Sequence, residues 1–220
     1  MLEKWLSPMS VGLFAREYLR RQPHASPSSA RTVMPIFGWG TLDQLLKQNP
    51  AADVLVVARG KLLELPAPRT LAEARELLIK GAGLVIRRAE QLDAGVAELA
   101  GSVTHYIPGE VHVQLFVTPA GTYGFGWHYD DEDVFIVQTE GSKDYFFCEN
   151  TVQCHRLPGN APDFTRFSNE ASPIGTARLM AGDWLYLPAR WWHAANCIED
   201  SLSISLGISP DASWLASLSE

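Results

Sequence analysis

The apolar positions of the chain change period near residue 105. Before it they recur at helical spacing. Val11, Phe14, Ala15, Tyr18 and Leu19 fall on one face of a helix that Ser10 can cap. Thr41 with Gln44 precedes Leu42, Leu45 and Leu46, and Thr70 with Glu73 precedes Leu71, Ala74, Leu77 and Leu78. Both pairs have the spacing of a capping box, in which two side chains satisfy N–H groups of the first turn. Gly81 stands where a helix ends in a left-handed residue. Two β-like runs, 54–58 and 83–87, flank this third helix, and the Ser- and Pro-rich stretch 24–32 predicts a loop.

After residue 105 the runs are short, β-branched or aromatic, and bounded by Gly or Pro. They cover 111–118, 134–139, 144–148, 183–187 and 202–208. In the last, Leu202, Ile204 and Leu206 alternate with Ser203 and Ser205, the pattern of a strand with one buried face. Several short strands joined by turns predict a sandwich or barrel. The expected organisation is mainly β with N-terminal helices (α+β). A helical segment with a few strands covers 1–104, a barrel 105–209 and a short tail bearing Trp214 210–220, packed as one compact unit.

Composition narrows the function classes. Of 220 residues, 46% are apolar and 20% charged, which suits a soluble globular domain rather than a disordered chain. No apolar run is long enough to span a bilayer, and the first residues do not read as a signal peptide. The net charge of −7 disfavours a protein that binds nucleic acid by neutralising phosphates. Three cysteines do not make a disulfide framework, so a reducing cytoplasm is the expected location.

The candidate chemistry lies in the second half. In an extended His128-Tyr129-Asp130, alternation puts the imidazole and the carboxylate on one face and turns Tyr129 away into packing. His193 follows a strand and the Pro188 turn, 65 residues downstream. Two histidines and one carboxylate with open positions match the facial triad of non-haem Fe(II) oxygenases. An HxD tripeptide alone is also compatible with a core histidine bonded to its neighbour. Lys143 follows one strand and a turn. A return of that length can bring its ammonium back toward the metal as a carboxylate anchor, or leave it on a surface hairpin. Buried neighbours Tyr145, Phe146 and Phe147 favour the inward position. Asp131, Glu132 and Asp133 read as a solvated acidic rim able to hold a basic substrate side chain, while Trp191 and Trp192 read as core. Arg190 is left open between solvent and substrate. Cys148, Cys154 and His155 lack the spacing and the second pair of a zinc site.

In 116–143 and 182–195 the chain resembles the JmjC-type branch of the cupin superfamily, the Fe(II)- and 2-oxoglutarate-dependent oxygenases. It is most similar there to bacterial relatives of the ribosomal oxygenases, and more distantly to asparaginyl hydroxylases. Weaker similarity in 6–23 and 37–46 extends it over most of the chain. The resemblance implies a double-stranded β-helix with Fe(II) held by His128, Asp130 and His193, and with Lys143 binding the distal carboxylate of 2-oxoglutarate. Gln114, Ser203 and Ser205 are implied as further cosubstrate contacts. Gly182, Pro188, His193 and Asn196 match part of a second cupin signature. Where asparaginyl hydroxylases have a cosubstrate-binding threonine, this chain has Phe125. The implied activity is hydroxylation of a C–H bond using O₂, with release of succinate and CO₂. The substrate is a protein or peptide side chain or an amino-acid-like small molecule, with no membrane or directly bound nucleic acid, in a monomer or homodimer. A metal-dependent cupin without 2-oxoglutarate and a catalytically silent binding module are the alternatives.

Overall fold

The computed structural model describes residues 2–49, 51–152 and 164–217. Chain order among them begins with helices α1 (Leu2–Leu6) and α2 (Val11–Glu17), strand β1 (His24–Ser26), a 3-10 helix (Arg31–Ile36) and α3 (Trp39–Gln48). Then come β2 (Val54–Ala58), β3 (Lys61–Leu63), α4 (Leu71–Ile79), β4 (Gly83–Ile86), a second 3-10 helix (Ala89–Gln91) and α5 (Ala94–Thr104). The barrel strands are β5 (Gly109–Thr118), β6 (Asp133–Glu140), β7 (Ser142–Cys148), β8 (Gly175–Met180), β9 (Trp184–Leu187), β10 (Trp192–Cys197) and β11 (Ser201–Pro210). A 3-10 helix (Phe164–Asn169) precedes β8, and α6 (Ala212–Ser217) follows β11.

These strands form an eight-stranded sheet, ordered β1-β9-β6-β11-β5-β4-β2-β3, facing a three-stranded sheet, β10-β7-β8; all pairings are antiparallel. His128 and His193 form an isolated bridge that lays the 128 segment beside β10 as a rudimentary fourth strand. This two-sheet arrangement is the expected double-stranded β-helix.

The large sheet buries both faces. Leu202, Ile204, Leu206 and Ile208 of β11 and Val113, Leu115 and Val117 of β5 point outward into a core shared with the helices, together with Phe14, Phe37, Leu42, Leu99 and Trp184. The opposite face looks into the barrel. There Val134, Ile136, Tyr145, Leu179, Leu185 and Leu187 make a smaller apolar cluster. The alternation along β11 therefore sorts leucine and isoleucine to the helical side and Ser203 and Ser205 to the interior.

Local signals act as expected in two helices. Leu13 N–H donates to Ser10 Oγ at 3.1 Å, capping α2. Glu73 N–H donates to Thr70 Oγ1, and α4 ends with Gly81 N–H to Leu78 O and Ala82 N–H to Leu77 O, the two bonds of a Schellman motif. Three expectations are corrected. Helix α3 begins at Trp39 with Gly38 as N-cap, so Thr41 lies inside the helix; Leu42, Leu45 and Leu46 are nonetheless its buried face. The 24–32 stretch is not all loop, because β1 pairs with β9, His24 opposite Tyr186 and Ser26 opposite Trp184. A three-residue edge strand is specified by its partner and carries little periodicity of its own. The expected tail coils after β11 into α6 (Ala212–Ser217), with Trp214 packed on the core. Strands β3, β8 and β10 and helix α5 had no separate sequence signal.

Candidate metal centre

His128, Asp130 and His193 each bring one ligand atom to a common point, all within 4.8 Å of one another. His128 N–H donates to His193 O at 3.0 Å and His193 N–H to His128 O at 2.7 Å. A reciprocally bonded pair directly opposite one another places both rings on the same face, 4.2 Å apart. Asp130, two residues on, returns to that face, with its carboxylate 3.6 Å from His193 Nε2.

Each ring is oriented through its other nitrogen. His128 Nδ1 meets Gly126 O at 2.8 Å, and His193 Nδ1 meets Trp191 O at 3.0 Å. A carbonyl only accepts, so Nδ1 carries the proton and the lone pair sits on Nε2, the nitrogen a metal takes. Burial, with His128 next to it, pushes the His193 pKa down to about 4, so this imidazole is neutral and ready to ligate at physiological pH. The donor set of two neutral imidazoles and one carboxylate fits a divalent transition metal with open positions.

The ligands line one wall of a cleft whose other walls include Phe116, Val134 and Ile136. Lys143 lies deeper, 4% exposed. Its ammonium donates to Ser203 Oγ at 3.0 Å and stands 5.9 Å from the centre of the Phe116 ring. Desolvation lowers the Lys143 pKa to about 8. The hairpin return works because Gly141 takes a positive φ of 65° and β7 then runs back along the small sheet.

The other sequence candidates divide. Ser203 and Ser205 line the cleft with Lys143. Gln114 sits opposite Ser205 in the β5–β11 register, on the same face as Phe116 and Thr118, but does not line the cleft. Tyr129 is buried against Trp192, edge to face at 4.9 Å, and Trp192 is fully buried core. The acidic rim needs correction at Asp133. It is fully buried, accepts from Tyr186 Oη and from Arg20 Nε at 3.0 Å, and ties α2's exit to β9. Asp131 pairs with Arg190 at the surface. Glu132 is half-buried; burial raises its carboxyl pKa, and Asp130, Glu110 and Asp131 add to this while His112 opposes it. Phe146 and Phe147 are half-buried rather than buried. Cys154 and His155 lie outside the described residues; Cys148 and Cys197 are buried and unbridged. Sequence reasoning did not single out Phe116, Thr118, Tyr123 or Cys197, and Tyr145 only as core; all line the cleft. Strand alternation from Lys143 would have found Tyr145.

A sequence model described as the JmjC domain matches residues 89–214, more than half of the chain, and this protein belongs to that family. Among curated proteins, it is 25% identical over 217 residues to ribosomal oxygenase 1 of Gallus gallus, covering 94% of this chain and 36% of that protein. It is 29% identical over 130 residues to the bifunctional lysine-specific demethylase and histidyl-hydroxylase NO66 of Dictyostelium discoideum, covering 59% of this chain and 25% of that protein. The fold is similar to YcfD, a ribosomal oxygenase from Escherichia coli solved with cobalt and 2-oxoglutarate, with a TM-score of 0.65, 20% identity, and coverage of 93% of this chain and 53% of that one. The chain thus spans between a quarter and about half of the length of these relatives. Among the described residues, no helix is long and apolar enough to cross a membrane.

Proposed function

We propose that the protein is an Fe(II)- and 2-oxoglutarate-dependent oxygenase that hydroxylates a C–H bond of a protein or peptide side chain. The observation that carries this reading is a buried lysine ammonium in the same cleft as a two-histidine, one-carboxylate triad. A triad alone serves many metal chemistries. A buried cation with no carboxylate partner among the described residues calls for an anionic ligand.

His128, Asp130 and His193 would hold the iron, with the Gly126 and Trp191 carbonyls fixing the two rings. Bound iron and 2-oxoglutarate would couple O₂ reduction to oxidative decarboxylation, yielding succinate and CO₂ and one oxygen atom for the substrate. Lys143 would take the distal carboxylate and so orient the keto-acid end toward the triad. Val134, Ile136 and Phe116 make the apolar walls that exclude water from this passage. Asp130, with its side chain 47% exposed, stands on the open side of the triad, where a substrate would arrive. Glu132, with Asp130, Glu110 and Asp131 close to it, makes an acidic group beside the triad that suits a positively charged substrate.

The names of the relatives, ribosomal oxygenase and histidyl-hydroxylase, support a protein substrate over a free metabolite. In this reading residues 105–209 are the catalytic barrel, 1–104 pack behind it, and α6 closes the C-terminal segment against the core. A cytoplasmic location agrees with the unbridged Cys148 and Cys197.

The test is anaerobic. Fe(II) and then 2-oxoglutarate are added to metal-free protein, and the visible charge-transfer absorption of a chelated keto acid is recorded. The band is expected in wild type, absent in His193→Ala, and shifted to at least tenfold higher 2-oxoglutarate concentration in Lys143→Ala. Metal binding without the band in wild type would refute the 2-oxoglutarate reading in favour of another metal-dependent cupin chemistry. No metal binding would leave a binding scaffold.

A further inference from the structure

The two imidazoles of the triad are oriented by unlike means. His193 lies in β10, and its Nδ1 meets Trp191 O within a local turn in which Trp191 N–H donates to Pro188 O at 3.2 Å. His128 Nδ1 meets Gly126 O at 2.8 Å, and Gly126 belongs to a segment, 119–127, that forms no strand. Gly124 and Gly126 take φ of 55° and 73° there. Glycine accepts either sign of φ, so these two residues do not hold a carbonyl in place by their own sterics. Gly126 N–H donates to Tyr123 O at 3.0 Å and closes a turn within the segment. Its placement against the barrel needs a contact from outside.

That contact comes from the N-terminal half of the chain. Strands β2 and β3 are joined by Arg59 and Gly60, with Ala58 opposite Lys61 and φ of 51° and 72° at the two central residues. Two left-handed central residues mark the type I′ turn of a tight hairpin. Gly60 N–H points out of this turn and donates to Gly124 O at 2.7 Å. The approach is close, since a Cβ at position 60 would stand 3.0 Å from Phe125 O and 3.5 Å from its carbonyl carbon. Phe125 in turn meets the His128 ring edge-on, with centroids 5.8 Å apart. The start of the segment is tied to β10 instead, by Gly121 N–H to Cys197 O at 2.8 Å and Cys197 N–H to Thr122 O at 2.9 Å. The Gly60 bond therefore holds the middle of the segment, two residues from the carbonyl that orients His128.

We propose that Gly60 is a positioning residue of the metal centre. By holding Gly124 it sets Gly126 O where His128 Nδ1–H donates to it, which keeps the Nε2 lone pair aimed at the metal. The 59–60 turn thus acts on the first ligand although it lies outside the barrel strands. The inference rests on the metal-centre reading above and extends it to the N-terminal half.

The test compares Gly60→Asn with Gly81→Asn. Gly81 is the control: its φ is 76°, and a Cβ there meets nothing within 4 Å. Asparagine enters the left-handed region more readily than most side chains, so both variants keep the fold, which their thermal midpoints check. Mn(II) affinity is measured by calorimetry, and visible absorption of Co(II)-loaded protein reports the ligand geometry. The expected result is a roughly tenfold loss of Mn(II) affinity with altered Co(II) bands in Gly60→Asn, the scale on which a metal-bound histidine feels its outer partners. Gly81→Asn is expected to match the wild type in both. Equal effects in the two variants overturn the assignment, as does no effect in Gly60→Asn. A second measurement needs no variant. Coupling between sites is reciprocal, so Zn(II), which suits the same donors, is expected to slow hydrogen exchange of the Gly60 amide by about threefold or more. The Gly81 amide, bonded to Leu78 O, is expected to be unchanged. Equal slowing at both amides, or none at Gly60, overturns the assignment even where Gly60→Asn fails to fold. A wild type that binds none of these metals overturns the metal-centre reading together with this one.

Discussion

Lys143 shows how one residue links burial to pH dependence. The buried ammonium has a pKa of about 8, against 10.5 for a lysine in water, because desolvation disfavours its charged form. A dicarboxylate binds the charged form, so affinity is full below the lowered pKa and is lost as pH rises through it. We predict that the 2-oxoglutarate dissociation constant is flat below about pH 7.5 and rises roughly tenfold per unit above about pH 8.5, as the linkage of one proton requires. Binding near pH 8 takes up a proton, so the calorimetric enthalpy should vary with buffer ionisation heat. A profile flat to pH 10 would remove Lys143 from the binding site. His193 behaves in the opposite sense for the metal: neutral over the working range, it offers its lone pair without proton competition until the solution is quite acidic.

Among the elements, α2 is the one that closes the back of the barrel. Phe14 is fully buried and touches Phe135, Trp184 and Tyr186 with ring centroids 5.6, 6.4 and 5.0 Å away. Phe135 belongs to β6 and the other two to β9, the strands that carry the chain from Asp130 and toward His193. Phe14→Ala should cost about 3–5 kcal/mol, the range for emptying a buried aromatic site. Urea denaturation would measure it, and metal affinity in the folded fraction should be unchanged because no ligand touches Phe14. A change under 1 kcal/mol would show that α2 does not brace these strands. The element scale also explains which signals were legible. Ser10 and Thr70 cap their helices as local sequence demands. Thr41 does not, because Trp39 and Leu42 are drawn into the tertiary core and start the helix three residues earlier. Burial of a face outweighs a cap contributing about 1 kcal/mol.

At the scale of the molecule, the site is built from separate parts of the chain, the 128–130 segment and the turn into β10, joined by the His128–His193 bridge and by Arg190 N–H donating to Asp130 O at 2.7 Å. Metal and cosubstrate should therefore act as a clasp between these two parts of the chain. A ligand that binds only the folded state stabilises it by about 2.7 kcal/mol at one hundred times its dissociation constant. Mn(II) with 2-oxoglutarate is expected to raise the thermal midpoint by several degrees in wild type. His193→Ala should show no such rise, although its ligand-free midpoint stays close to that of the wild type. A rise of equal size in that variant would place the ions elsewhere.

Sequence by itself determined the strand faces. A period of two is a local property, so Ser203 and Ser205 against Leu202 and Ile204, or His128 and Asp130 on one side with Tyr129 on the other, followed from the residues alone. The resemblance in 116–143 and 182–195 supplied the ligand identities, since those segments keep donors in fixed local spacing. Tertiary structure decided what depends on meeting across the fold. It drew His193 to His128 over 65 intervening positions, made β1 a strand through pairing with β9, and sank Asp133 beneath Tyr186 and Arg20 although its neighbours Asp131 and Glu132 reach solvent. It also set Tyr145 in one cleft with Lys143 and Ser203. The physical reason is common to all four. Pairing partners and burial are sums over distant contacts, and a local window holds the periodicity of a side chain but not the identity of what it will face.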